Sequence, residues 1–108
     1  MIHVVYDRPG FRVTVRGHAG AGDYGHDLVC AAVSVITATL AQNVFNLIKT
    51  ECAKAGVISL ENGHAEISVV PKDCTLEQAA HLIFDAVTVG YRLLAEEQKD
   101  FIKFDVRI

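Results

Sequence analysis

The hydropathy pattern of this chain predicts an α+β domain: a largely antiparallel sheet with two helices packed on one face, in the order β-β-α-β-β-α-β. Three observations carry that expectation. Two pairs of alternating segments are each joined by a short turn signal. Two long apolar runs have helical period, and one more alternating segment closes the sequence. At 108 residues the chain is a single domain, residues 1–108, long enough for one core and too short for two.

The first pair begins with Ile2 to Asp7, in which Ile2, Val4 and Tyr6 share a face. Asp7-Arg8-Pro9-Gly10 is a turn, because proline presets φ and glycine follows it. Phe11, Val13 and Val15 then alternate with Arg12, Thr14 and Arg16, a second strand whose polar residues read as a solvated face. The first helix is expected from about Asp27 to Ala55, with Gly56 as its C′ stop. It carries two adjoining stripes. One is Val29, Val33, Ile36, Leu40, Val44 and Leu47; the other is Cys30, Ala38, Ala41, Phe45, Ile48 and Cys52. Two covered sides imply a sheet on one and a second helix or a partner subunit on the other. Thr39, Gln42, Asn43, Asn46 and Lys49 form the solvent edge.

Val57–Leu60 and His64–Val70 read as strands joined by Asn62-Gly63, a strong two-residue hairpin signal. That turn pairs Leu60 with Ala65 and Ile58 with Ile67, so turn and pattern agree on register. His64 is expected to be exposed beside the turn. Thr75-Leu76-Glu77-Gln78 reads as a capping box opening a helix that continues to about Gln98, with Gly90 at a close packing contact. Cys74 and His81 have no partners by spacing and are assigned no function. The last strand places Ile102, Phe104, Val106 and Ile108 on one face.

Composition narrows the function classes. Apolar residues make up 51% and charged residues 21% of the chain, as in an ordinary soluble globule. A net charge of −3 without a basic cluster argues against a nucleic-acid surface. No apolar run reads as a membrane span and no signal peptide opens the chain. Three cysteines without framework spacing suit a reducing, cytoplasmic location.

Chemistry concentrates between Gly17 and Ser34. The first half of this stretch holds four of the eight glycines, Gly17, Gly20, Gly22 and Gly25. A histidine, His18, closes the preceding strand, and Cys30 falls in the first turn of the following helix, behind the N-cap Asp27. There the free amides and the positive end of the helix dipole favour a thiolate, and a nearby imidazolium would favour it further. Asp27 opposes this as a like charge unless it is spent on the backbone or a histidine. Asp27, Cys30 and Ser34 share one side of the helix. His18 and Cys30 are thus candidate base and nucleophile, with amides of the first turn as candidate oxyanion donors and Gly20, Gly22 and Gly25 in a loop that closes over substrate. Two other readings stand beside this one. Cys30 also fits as a small buried apolar residue in a non-enzymatic dimeric module. His26-x-x-x-Cys30 has metal-ligand spacing, which His18 or Asp27 could join in a small zinc site.

Gly17-His18-Ala19, followed by Gly25-His26-Asp27-Leu28-Val29-Cys30-Ala31-Ala32-Val33-Ser34, resembles the ribosomal-processing cysteine protease family Prp. Its motif is Gly-His-Ala, a glycine-containing loop, then Gly-x-Asp-(Ile/Leu)-Val-Cys-Ala and a nearby serine. The resemblance implies a cysteine endopeptidase with Cys30 as nucleophile and His18 as base, and Asp27 and Ser34 in support. It further implies removal of a short N-terminal extension, ending in aromatic residues, from bacterial large-subunit ribosomal protein L-twenty-seven. A homodimer without a cofactor or metal is expected, with no membrane or direct nucleic-acid partner.

Overall fold

A computed structural model of the chain describes residues 1–20 and 27–108. The elements are β1 (Ile2–Asp7), β2 (Arg12–Arg16), α1 (Leu28–Lys49), β3 (Ala53–Glu61), β4 (His64–Pro71), α2 (Cys74–Glu97) and β5 (Ile102–Arg107). The order is the expected one, and the fold is α+β. One five-stranded sheet has the strand order β3-β4-β2-β1-β5. Three of its neighbours pair antiparallel; β1 and β5 pair parallel, with Val4 opposite Phe104. Parallel neighbours need a crossover, and α2 provides it from β4 to β5.

Register follows from the side-chain period of two. Val4 pairs with Val15, Tyr6 with Val13, Val13 with Ile67 and Val15 with Ala65, so all six residues point to one face. Val33, Leu40 and Val44 of α1 and Ala80, Phe84 and Tyr91 of α2 are buried with them in one core. The other face carries His3, Arg12, Arg16 and Glu66. The Asn62-Gly63 turn produces the expected pairs, Leu60 with Ala65 and Ile58 with Ile67. Gly90 marks the helix crossing, since a Cβ there would lie 3.1 Å from Ile36 Cδ1.

Three boundaries differ from expectation. The first helix ends at Lys49 rather than Ala55. Glu51 adopts φ 62°, its amide donates to the Ile48 carbonyl at 3.1 Å, and the Cys52 amide donates to the Leu47 carbonyl at 2.9 Å. These two bonds form a Schellman stop with glutamate at the position that usually holds glycine, and so carry no composition signal. Gly56 is therefore a strand residue of β3. A Cβ there would lie 2.8 Å from Ile48 Cδ1 and 3.0 Å from the Ser68 carbonyl oxygen, so the glycine permits β3 to lie close under α1. The second helix starts one residue before Thr75, and its cap is Asp73, which accepts the Leu76 amide at 3.0 Å. A carboxylate two residues upstream thus displaces the Thr75–Gln78 box. One further expectation is corrected: α1 is long and apolar enough to cross a membrane by length and composition. Here Val29, Val33, Leu40, Ala41 and Val44 pack in the core, while Val35, Phe45 and Ile48 are exposed.

At the far end of β1, Tyr6 Oη–H donates to Asp85 at 2.7 Å and Arg8 makes a two-pronged pair with the same carboxylate. The Arg8 guanidinium foremost, with the Tyr6 hydroxyl, holds Asp85 below the usual carboxylate range against some desolvation. His81 stacks on Phe11 with ring centres 4.2 Å apart and lies 3.1 Å from the Arg8 carbonyl oxygen, so it has a structural partner that spacing did not reveal.

Candidate active site

The site is built from element ends. β2 runs into Gly17, whose φ is +93° and whose missing Cβ would fall on the Met1 carbonyl oxygen. Only glycine fits there. The Gly17 amide donates to the Gly63 carbonyl at 2.9 Å, so the tip of the β3–β4 hairpin docks on the segment that carries His18. Gly63 itself has φ +77°, and a Cβ on it would lie 2.8 Å from His18 Nε2. The imidazole therefore rests against a bare glycine.

Across from it, Asp27 caps α1 from an extended conformation. Its Oδ1 accepts the Cys30 amide at 3.0 Å and its backbone carbonyl accepts the Ala31 amide at 3.1 Å. Of the first-turn amides that the sequence offers as oxyanion donors, that of Cys30 is thereby taken. The Cys30 thiol donates to Asp27 Oδ2 at 3.3 Å, and its sulfur accepts the Ala19 amide at 3.4 Å. Burial pushes the thiol above its ordinary range, the Ala19 amide opposes this, and the Asp27 hydrogen bond and charge add to the rise. His18 is not among the described hydrogen-bond partners of the thiol.

His18 and Cys30 nonetheless line one cleft of about 410 Å³, with Ile2, Val15, Val33 and Leu60 as apolar wall. Ser34, Thr37, Asn62, Gly63 and His64 also face it. Ser34 Oγ–H donates to the Cys30 carbonyl at 2.8 Å, one helical turn back. At the helix side of the cleft, the Thr37 and Tyr91 hydroxyls lie 2.7 Å apart; burial raises Tyr91 to about 12, which keeps its proton in place. Of the loop glycines, Gly20 adopts φ +67° with open space where a Cβ would be. Gly22, Gly25 and His26 lie outside the described residues.

Three contributors escaped the sequence reading. The hairpin tip and Thr37 join the cleft, the Ala19 amide reaches the Cys30 sulfur, and His64, expected to be exposed, is half-buried in the cleft lining. The Asn-Gly turn was visible as a turn; that it docks beside His18 follows from strand order, which the pattern does not encode. Among the described residues no group of three or more histidine, cysteine and carboxylate side chains is placed to hold a metal ion. The zinc alternative depended on His26.

A small α+β domain with a cysteine at a helix entry and a histidine lining the same cleft has the form of a cysteine protease. The family described as cysteine protease Prp matches residues 1–103, and this chain belongs to it. The ribosomal processing cysteine protease Prp of Staphylococcus aureus is 31% identical over 96 residues, which cover 88% of this chain and 85% of the relative. The crystal structure of S. aureus Prp with a covalently linked product peptide superposes with a TM-score of 0.71 at 25% identity, covering 98% of this chain and 97% of that one. The same protease with a substrate peptide gives a TM-score of 0.66 at 25% identity, with the same coverage. The reading of the chain as a non-enzymatic module is thereby replaced. It is an enzyme of the cysteine protease class.

Proposed function

We propose that this protein removes the short N-terminal extension of bacterial large-subunit ribosomal protein L-twenty-seven, with Cys30 as nucleophile and His18 as general base. The observation that carries the reading is the shared cleft: both residues line a space of about 410 Å³ with apolar walls. Support comes from the relatives, which are named as ribosomal processing proteases and have been solved with substrate and product peptides.

In this mechanism His18 takes the Cys30 proton, and the thiolate attacks the scissile carbonyl carbon. The carbonyl electron pair moves onto oxygen, then returns as the C–N bond breaks and the leaving amine takes the proton from the His18 imidazolium. Water, deprotonated by His18, hydrolyses the thioester and releases the second product and the free thiol. Asp27 holds the helix entry, and Ser34 braces the Cys30 carbonyl. The working form is a cytoplasmic homodimer that needs no cofactor.

The test is incubation of the purified protein with the host's ribosomal protein carrying its extension, followed by mass spectrometry of the new N-terminus. Cleavage is expected at one position, lost in Cys30→Ala, and slowed by at least about 100-fold in His18→Ala, the usual scale of acid–base assistance. Cleavage by the Cys30 variant, or an intact extension after long incubation with wild type, would overturn the proposal.

A further inference from the structure

We propose that the backbone amide of Ala19 is a catalytic group, the hydrogen-bond donor that holds the Cys30 sulfur as a thiolate. This rests on the reading of Cys30 as nucleophile. The amide nitrogen stands 3.4 Å from Sγ, inside the range for a sulfur acceptor. Ala19 is only 5% exposed and its methyl group lies in the core, so the donor is aimed by packing rather than by a mobile side chain.

Of the helix-entry amides, Cys30 N–H is bound to Asp27 Oδ1 and Ala31 N–H to the Asp27 carbonyl, whereas the sulfur accepts from the Ala19 amide. The sulfur is gripped from two sides, by a donor at Ala19 and an acceptor at Asp27 Oδ2, 3.3 Å away. Deprotonation treats these two contacts oppositely. The Asp27 contact loses its proton and becomes a like-charge repulsion, whereas the Ala19 bond becomes charge-assisted and strengthens. The amide is thus the contact that favours the reactive form. It also gives each position of Gly17-His18-Ala19 a task. Gly17 makes the turn that no side chain permits, His18 takes the proton, and Ala19 anchors the amide that receives the charge.

The test replaces one atom. Joining a synthetic 1–29 segment to Cys30–108 at the natural cysteine allows the residue-19 amide to be exchanged for an ester, with an all-amide protein assembled identically as reference. The rate of Cys30 alkylation by iodoacetamide is followed against pH by mass spectrometry, with exposed Cys74 as internal standard. The ester protein is expected to alkylate at Cys30 about tenfold more slowly at neutral pH, the scale of one hydrogen bond to a charged group. Its profile should move to higher pH while Cys74 is unchanged. An unshifted Cys30 profile in the ester protein would overturn the proposal.

A second measurement needs no altered backbone and covers the case in which the ester protein does not fold. In the intact protein the Ala19 amide proton resonance should titrate with the same midpoint as Cys30 alkylation, and stop titrating in Cys30→Ala. A resonance that ignores pH, or titrates equally in Cys30→Ala, would also overturn it. Loss of peptide cleavage in Cys30→Ala tests the protease reading separately, so the two failures are distinguishable.

Discussion

Replacing Gly63 by alanine should disable the site through His18 without touching the cysteine. A methyl group at residue 63 would lie 2.8 Å from His18 Nε2 and 3.4 and 3.5 Å from two ring carbons. Ordinary contact needs about 3.5–4.0 Å, so the imidazole must retreat by roughly 1 Å. A misplacement of that size in a catalytic group costs on the order of 100-fold in turnover. The same substitution also puts an L-residue at φ +77°, which destabilises the fold by about 1–2 kcal/mol. For a domain of this size each kcal/mol lowers the melting temperature by about 4–8 °C. Gly63→Asn separates the two effects, because asparagine tolerates the left-handed region yet carries the same Cβ. Peptide turnover and thermal melting are measured on both variants. We expect Gly63→Asn to regain much of the melting temperature while kcat stays low. Recovery of kcat together with stability would show that backbone strain, not contact with His18, caused the loss. Full turnover in both variants would sever the hairpin from the site.

Other perturbations read other parts of the structure. Asp27→Asn keeps a capping side chain but removes the charge that raises the thiol, so Cys30 alkylation near neutral pH should accelerate with little change in melting temperature; slower alkylation would contradict this. Gly56→Ala crowds Ile48 and the Ser68 carbonyl, and should destabilise by about 1–3 kcal/mol in chemical denaturation while kcat of the folded fraction holds. Asp85 titrates below its ordinary range, so its stabilisation is complete above that range and disappears as pH falls through the lowered value. The melting temperature of wild type should approach that of Asp85→Asn in acid, by a small amount because the side chain is 41% exposed. A gap that widens in acid would reverse the assigned sign.

Local rules were the legible part of this chain. Alternation in β1 and β2, the Asn62-Gly63 turn and the approach at Gly90 are short-range or face-level signals, and the structure obeys them. The end of α1 was hidden because Glu51 occupies a left-handed position that composition assigns to glycine. The start of α2 was displaced because two cap patterns competed and Asp73 prevailed. For the site, residue types singled out His18 and Cys30, which line one cleft, but the amide that reaches the Cys30 sulfur belongs to the backbone of Ala19 and leaves no mark in residue identity. The docking of Gly63 on His18 depends on β4 lying beside β2, a pairing between distant segments. No local window of sequence contains it.

That pairing explains why a cleft forms at this end of the sheet. β2 is antiparallel to β4, which puts Arg16 opposite His64, so the last residues of β2 meet the first of β4 and the hairpin tip before it. The chain then leaves β2, enters α1 at Asp27 and returns as β3, an edge strand antiparallel to β4. A crossover of this kind starts its helix at the end of the sheet where the preceding strand stopped. The C-terminal end of β2, the N-terminal end of α1, the β3–β4 turn and the first residue of β1 therefore converge. Val29 turns inward to the core, Val33 is buried between core and cleft, and Cys30 and Ser34 line the cleft, where Ser34 remains exposed. Stability is invested one layer away, in Leu40, Val44, Phe84 and Ile67. Reactive groups on element ends over such a core can be exchanged or moved without unfolding it. The exceptions are Gly17 and Gly63, where an added methyl would meet, respectively, the Met1 backbone beside the start of the His18 segment and the His18 ring itself.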